Sequence, residues 1–151
     1  MKKQETGIIK AVCISTSKGT MKRNIGTCEL IENHGLKEDA HAGNWHRQVS
    51  LLSYEKIEEF KKRGAVVEDG SFGENLIVQG IDLKELPIGT IFKCKDVILE
   101  LTQIGKECHS GCDIYKKMGE CIMPREGIFA KVIASGVISV GDIITVTESA
   151  H

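Results

Sequence analysis

The stretch Thr90-Ile91-Phe92-Lys93-Cys94-Lys95-Asp96-Val97-Ile98-Leu99-Glu100-Leu101-Thr102-Gln103-Ile104 decides the class of fold. Two short β-type runs, 90–95 and 97–104, flank Lys95-Asp96, which reads as a hairpin turn. In the second run Val97, Leu99 and Leu101 share one face, because successive side chains of a strand point to opposite sides. Outward from this hairpin the same kind of run recurs at 8–15, 26–33, 49–52, 75–79, 129–134 and 143–146, punctuated by many of the 16 glycines. So many short strands at this spacing predict a mainly β fold, a sandwich or a barrel.

One helix is written between them. Ser53 caps it, Glu55, Glu58 and Glu59 load its first half, Lys61, Lys62 and Arg63 load its end, and Gly64 stops it. Tyr54, Ile57 and Phe60 recur every third residue and face the sheet, with Glu58–Lys62 and Glu59–Arg63 as i,i+4 pairs. A second, shorter helix is expected near 112–118.

The 151 residues fit one compact domain, with no repeat, linker or internal boundary. With 20 Lys+Arg against 21 Asp+Glu, the net charge of -1 argues against a nucleic-acid partner, which needs a basic excess. No apolar run approaches the ~20 residues that cross a bilayer, and the apolar stretch after the charged N-terminus is too short for a secretory leader. A cytoplasmic protein is expected, with its six cysteines as thiols.

Three segments have the residues of a site. The first, 35–48, packs Asp39, His41, Trp45, His46 and Arg47 between a glycine and an apolar strand. Histidine serves near neutral pH as acid, base or ligand, and Arg47 offers a planar fork to a carboxylate or phosphate. Asp39 and His41 can equally just brace the turn while Trp45 covers the core. The second segment, 69–75, is glycine-rich; its backbone N–H groups suit an anion, and Glu74 and Asn75 are expected at the mouth of the next strand. On pattern alone an ordinary turn before a strand is the better reading, since the spacing is not that of a nucleotide-binding loop. The third runs from Thr102 to Asp113 and on to Cys121 and Arg125. Cys108 follows a strand, with Lys106 and His109 as neighbours that favour its thiolate. Cys108 is read as nucleophile or sulfur carrier. A metal site with His109, Cys112 and Cys121 is the alternative, although the spacing is not that of paired zinc ligands. Cys13, Cys28 and Cys94 lie in strand-like runs and are read as buried small hydrophobes.

Taken in order, G-L-K-E-D-A-H-A-G-x-x-H-R-Q-V-S-L-L at 35–52, F-G-E-N-L at 72–76, I-G-T at 88–90, the cysteine at 108 and S-V-G-D-I-I at 139–144 resemble a MOSC domain, the C-terminal domain of molybdenum cofactor sulfurases. T-Q-I-G-K-E-C-H and P-R-E-G-I-F-A resemble the small stand-alone prokaryotic branch found beside molybdenum cofactor synthesis proteins. The resemblance, over about 7–146, implies a MOSC-like β-barrel with a few short helices. It implies that Cys108 carries a persulfide or ligates molybdenum, a metal with affinity for thiolate sulfur. It also implies that His41, His46 and Arg47 bind the anionic part of the molybdenum cofactor (molybdopterin), and Asp39, Glu74 and Asn75 match the same motifs. Many relatives place Arg and Pro ahead of the cysteine. Here Ile104-Gly105-Lys106-Glu107 stand there, and Lys106 or Arg125 is expected to supply the charge, while Lys106, His109 and Arg125 are expected to hold the thiolate. The extra cysteines Cys112 and Cys121 are candidates to resolve a persulfide by disulfide exchange.

The function expected from the resemblance is a sulfur-transfer or cofactor-handling domain. It receives sulfur from a separate cysteine desulfurase, works beside molybdenum cofactor synthesis proteins, and delivers to a molybdoenzyme acceptor. The chain has no room for a pyridoxal-phosphate domain of its own. A molybdenum-cofactor-dependent reductase of N-hydroxylated compounds, working with partner proteins, and a non-enzymatic cysteine-based metal-binding module are the two alternatives.

Overall fold

The computed structural model describes residues 5–17, 21–105 and 126–147. The strands in chain order are β1 (Glu5–Ile14), β2 (Arg23–Asn24), β3 (Thr27–Ile31), β4 (Gly35–Leu36), β5 (Val49–Ser53), β6 (Leu76–Gln79), β7 (Ile91–Cys94), β8 (Val97–Ile104), β9 (Ile128–Ala134), β10 (Gly136–Ser139) and β11 (Ile143–Thr147). Helix α1 spans Tyr54–Lys62, and a single 3₁₀ turn spans Leu83–Glu85.

Seven strands close a barrel in the order β1–β11–β7–β8–β9–β5–β6 and back to β1. β1 is long enough to serve three neighbours. Its start pairs with β11, its middle with β6 across a bulge between Ile9 and Ala11, and its end with β2. A smaller sheet, β10–β3–β4, packs alongside. Every barrel pair is antiparallel except β5–β6, where Leu51 faces Leu76 and Ser53 faces Val78. A parallel pair needs a crossover, and α1 supplies it.

This one crossover explains two sequence patterns. On β8, Val97, Leu99 and Leu101 point into the barrel and alternate with half-buried residues, as the hairpin reading requires. On β5 and β6 both faces are covered. Leu51, Leu76 and Val78 join the interior, while Leu52 and Ile77 pack outward against Ile57 and Phe60 of α1. These strands therefore read as unbroken apolar runs. Ser53 caps α1, its hydroxyl accepting from the Lys56 amide at 3.4 Å, and Gly64 at φ 105° ends the helix in a conformation costly to other residues. Ion pairs join Lys56 to Glu59 at 3.5 Å and Lys61 to Glu58 at 3.2 Å, at the i,i+3 spacing. The expected second helix at 112–118 lies outside the described residues. No helix among the described residues is long and apolar enough to cross a membrane.

Candidate functional site

The loop between β4 and β5 is pinned where it begins and ends. A side chain at Gly35 would meet the Gln48 carbonyl at 2.7 Å, so the two ends of the loop lie backbone to backbone. Gln48 is fully buried. Its amide oxygen accepts from Val132 N at 2.9 Å and its amide nitrogen donates to Asn33 Oδ1 at 3.1 Å. The loop is thereby bound to β9 and to the turn after β3, which leaves its polar residues little freedom to move.

Asp39 is the hub. Its Oδ1 accepts from Ser15 N at 3.1 Å and from Lys22 Nζ at 2.7 Å. Its Oδ2 accepts from Asn75 Nδ2 at 3.2 Å and from His41 N at 3.3 Å. The Lys22 side chain is 1% exposed, and its Nζ also lies 2.9 Å from His41 Nδ1. Three chain segments remote in sequence thus meet in one ion pair. Sequence reading overlooked Lys22. It stands in Met21-Lys22-Arg23-Asn24, where nothing distinguishes it from a surface cation.

The 69–75 segment supports this hub from behind. Glu74 and Asn75 turn inward rather than to the strand mouth, at 0% and 1% exposure. The anion held by the turn is the protein's own: Gly70 N and Phe72 N each donate to the Glu74 carboxylate at 3.0 Å. Burial pushes the Glu74 carboxyl up from 4.5 to about 7, although those backbone bonds pull it down. Gly70 O accepts from Lys22 N at 3.1 Å, and at φ 88° a side chain there would fall 2.0 Å from the Lys22 carbonyl. Only glycine permits that approach. The Asn75 amide is spent within the protein. Nδ2 donates to Cys13 O at 3.0 Å as well as to Asp39, and Oδ1 accepts from Ser50 N at 2.9 Å. Asn75 therefore braces Asp39.

A second cluster joins the end of the loop to the end of β8. Gln103 Oε1 accepts from Arg47 Nε at 3.1 Å and lies 2.8 Å from His46 Nε2. The Arg47 guanidinium sits over two rings, 5.4 Å from Phe129 and 5.9 Å from Trp45. Trp45 Nε1 donates to the His41 carbonyl at 2.8 Å, and its ring meets His46 edge-on at 5.8 Å. The Thr102 hydroxyl donates to the His46 carbonyl. Trp45 remains 42% exposed, so this cluster faces outward while the Asp39 hub is sealed.

Cys13, Cys28 and Cys94 are buried free thiols in β1, β3 and β7, as expected of small hydrophobes. Burial pushes all three thiols up, Cys94 to about 11. None is suited to be a thiolate ligand. Among the described residues no group of three His, Cys, Asp or Glu side chains is placed to hold a metal ion. The expected residues Lys106, Cys108, His109 and Arg125, with Cys112 and Cys121, lie outside the described residues.

The barrel and the motif loops agree with the comparisons to known proteins. The MOSC domain family matches residues 38–145, and the chain belongs to that family. The fold is similar to the YuaD protein of Bacillus subtilis, with a TM-score of 0.74 at 19% identity over 97% of this chain and 98% of that one. It is also similar to YiiM of Geobacillus stearothermophilus, with a TM-score of 0.71 at 16% identity over 94% of this chain and 75% of that one. YiiM of Escherichia coli aligns with a TM-score of 0.62 at 19% identity, covering 97% and 71%. A search of curated proteins finds no match.

The donor chemistry decides which part of a molybdenum cofactor the described residues suit. Arg47 and His41 of the 35–48 loop fit an anionic group. The buried, proton-holding thiols do not fit a metal.

Proposed function

We propose that this MOSC domain handles sulfur as a persulfide on Cys108 in molybdenum cofactor metabolism, with the 35–48 loop holding an anionic part of the cofactor or of a partner. The observation that carries the reading is the contact of Gln103 with His46 and Arg47. Gln103 precedes Cys108 by five residues, so the motif loop and the run that leads to the cysteine are tied by hydrogen bonds.

The chemistry needs a donor. The Cys108 thiolate attacks the outer sulfur of a cysteine desulfurase persulfide, and the desulfurase thiolate leaves. Cys108 then bears S–S⁻, with no net oxidation. An acceptor nucleophile takes the outer sulfur in the same way, returning Cys108 to thiolate. Lys106, His109 and Arg125 are the cations assigned to stabilise it. Arg47, oriented by Gln103, binds the acceptor's anionic group, His41 contributes a hydrogen bond, and His46 helps to hold Gln103 in place. The molybdenum cofactor, when bound, supplies a thiophilic metal with phosphate as its anionic handle.

The test is anaerobic incubation with a cysteine desulfurase and cysteine, followed by intact-mass measurement. One added sulfur atom that reductant removes is expected on the wild type and not on Cys108→Ser. Equal uptake by the serine variant would overturn the assignment. So would stoichiometric molybdenum and pterin with no sulfur uptake, which would favour a molybdenum-cofactor-dependent reductase.

A further inference from the structure

We infer that Lys22 is a positioning residue that locks the His41 ring in one neutral tautomer, with its proton on Nε2, so that His41 acts as an N–H donor and not as a metal ligand or proton acceptor. His46, in the same loop, presents the opposite character through a lone pair on Nδ1. The inference holds whichever ligand the domain takes, and it goes beyond the sulfur-handling reading.

The His41 assignment follows from what each atom can do. Lys22 Nζ is 2.7 Å from Asp39 Oδ1, in a pair whose side chains are 1% and 0% exposed. A lysine so paired is an ammonium, which has three donors and no lone pair. At 2.9 Å from His41 Nδ1 it can only donate, so Nδ1 accepts and bears no proton. The proton of the neutral ring is then on Nε2. A metal has no route to Nδ1 while the ammonium faces it, and Nε2 lacks a lone pair while protonated. The ammonium is itself held. Gly70 accepts from the Lys22 amide at 3.1 Å, and the close backbone approach at Gly70 leaves Lys22 no room to shift towards that loop.

The His46 assignment uses a different chain of donors. Gln103 Nε2 donates to the Gly105 carbonyl at 2.7 Å, which fixes the orientation of its amide. Its oxygen must then face the other way, and the donation from Arg47 Nε at 3.1 Å agrees. An amide oxygen only accepts, so His46 Nε2, 2.8 Å away, bears the proton. In the neutral ring Nδ1 is left with a lone pair. The two histidines therefore share a tautomer and offer different atoms. One has its lone pair committed to an internal cation, and the other has its proton committed to an internal amide.

Two-bond proton–nitrogen correlation spectra of the ¹⁵N-labelled protein at neutral pH test this directly. The five histidine rings are assigned by single His→Gln variants. The expected pattern for His41 is an unprotonated Nδ1 and a protonated Nε2. A ring protonated on Nδ1, or on both nitrogens, would overturn the inference. In Lys22→Met the His41 pattern is expected to shift to a tautomer average, and Lys22→Arg is expected to restore the single tautomer. An unchanged His41 pattern in a folded Lys22→Met would overturn the role of Lys22. Diethylpyrocarbonate, which acylates only an imidazole nitrogen with an available lone pair, gives a second readout by peptide mass mapping. Labelling is expected at His46 and lost at His41 in the wild type. Equal labelling of the two rings would overturn the inference, and this measurement needs no variant to fold.

Discussion

Lys22 and Asp39 form an ion pair wholly inside the protein, 2.7 Å from Nζ to Oδ1, with Asn75 and the Ser15 and His41 amides completing the carboxylate's partners. The pair joins the residues after β1, the 35–48 loop and the start of β6. Removing one partner strands a charge away from water, and such losses cost about 3–5 kcal/mol. Lys22→Met and Asp39→Asn are each expected to lower the unfolding free energy from urea melts by that order. The double variant Lys22→Met/Asp39→Asn is expected to lose much less than the sum. Additive losses in this double-mutant cycle would mean that the two charges do not depend on each other.

Glu74 makes stability depend on pH with a definite sign. Burial raises its carboxyl from 4.5 to about 7 in the folded chain. Between those values the folded state binds more protons than the unfolded state, so this residue's contribution to stability falls as pH rises. Below the lower value the carboxyl is protonated in both states and its contribution is fully present. Above the upper value it is charged in both states and the full penalty stands, about 3 kcal/mol at ~1.4 kcal/mol per unit. Glu74→Gln keeps the shape without the titration. The stability difference between wild type and Glu74→Gln, from urea melts across this window, is expected to move by that order against the wild type. A difference independent of pH would show that the carboxyl is not desolvated.

The strands were legible because each run carries its own pattern: alternation on β8, and apolar runs on β5 and β6 where two faces are covered. The α1 cap, its buried face and its stop were equally local. The hub was half legible. Asp39, His41 and Asn75 fall in motifs, but their joining cation, Lys22, is fixed by contacts 17 and 19 residues away along the chain. A lysine that pairs at such range has no periodicity to betray it. Glu74 and Asn75 were placed at the strand mouth for a related reason. Polar residues after glycines read as exposed unless the atoms that satisfy them, here Gly70 N, Phe72 N, Cys13 O and Ser50 N, are known. The strands β2 and β4, of two residues each, are too brief to show a period, and β10 has only Val137 and Ile138 between Gly136 and Ser139.

Trp45, the single tryptophan, reports on Arg47. The guanidinium lies 5.9 Å from the indole centroid, and the ring is 42% exposed. A cation there draws iodide to the ring. Arg47→Ala is expected to reduce quenching of Trp45 fluorescence by iodide while leaving quenching by neutral acrylamide equal or higher. The stability loss should be about 1 kcal/mol, the worth of a partly exposed cation–π contact together with the lost packing on Phe129. Parallel changes with both quenchers would mean that exposure and not charge had altered.

The buried cysteines make the sulfur chemistry readable. A thiol reacts as its thiolate, and reaction needs access. Cys13 and Cys94 are at most 1% exposed and Cys28 is 7% exposed, and burial pushes all three thiols up. Brief iodoacetamide treatment of the native protein is therefore expected to leave these three unmodified, and denaturant is expected to release them together, since their strands belong to the barrel and its packed sheet. Any sulfur or alkyl group added under native conditions then reports on Cys108, Cys112 or Cys121, and peptide mass mapping separates those positions. Native labelling of Cys13 would contradict the packing of α1 on the barrel more directly than any change in function, because its thiol lies under α1 among Phe60, Phe72 and Ile77.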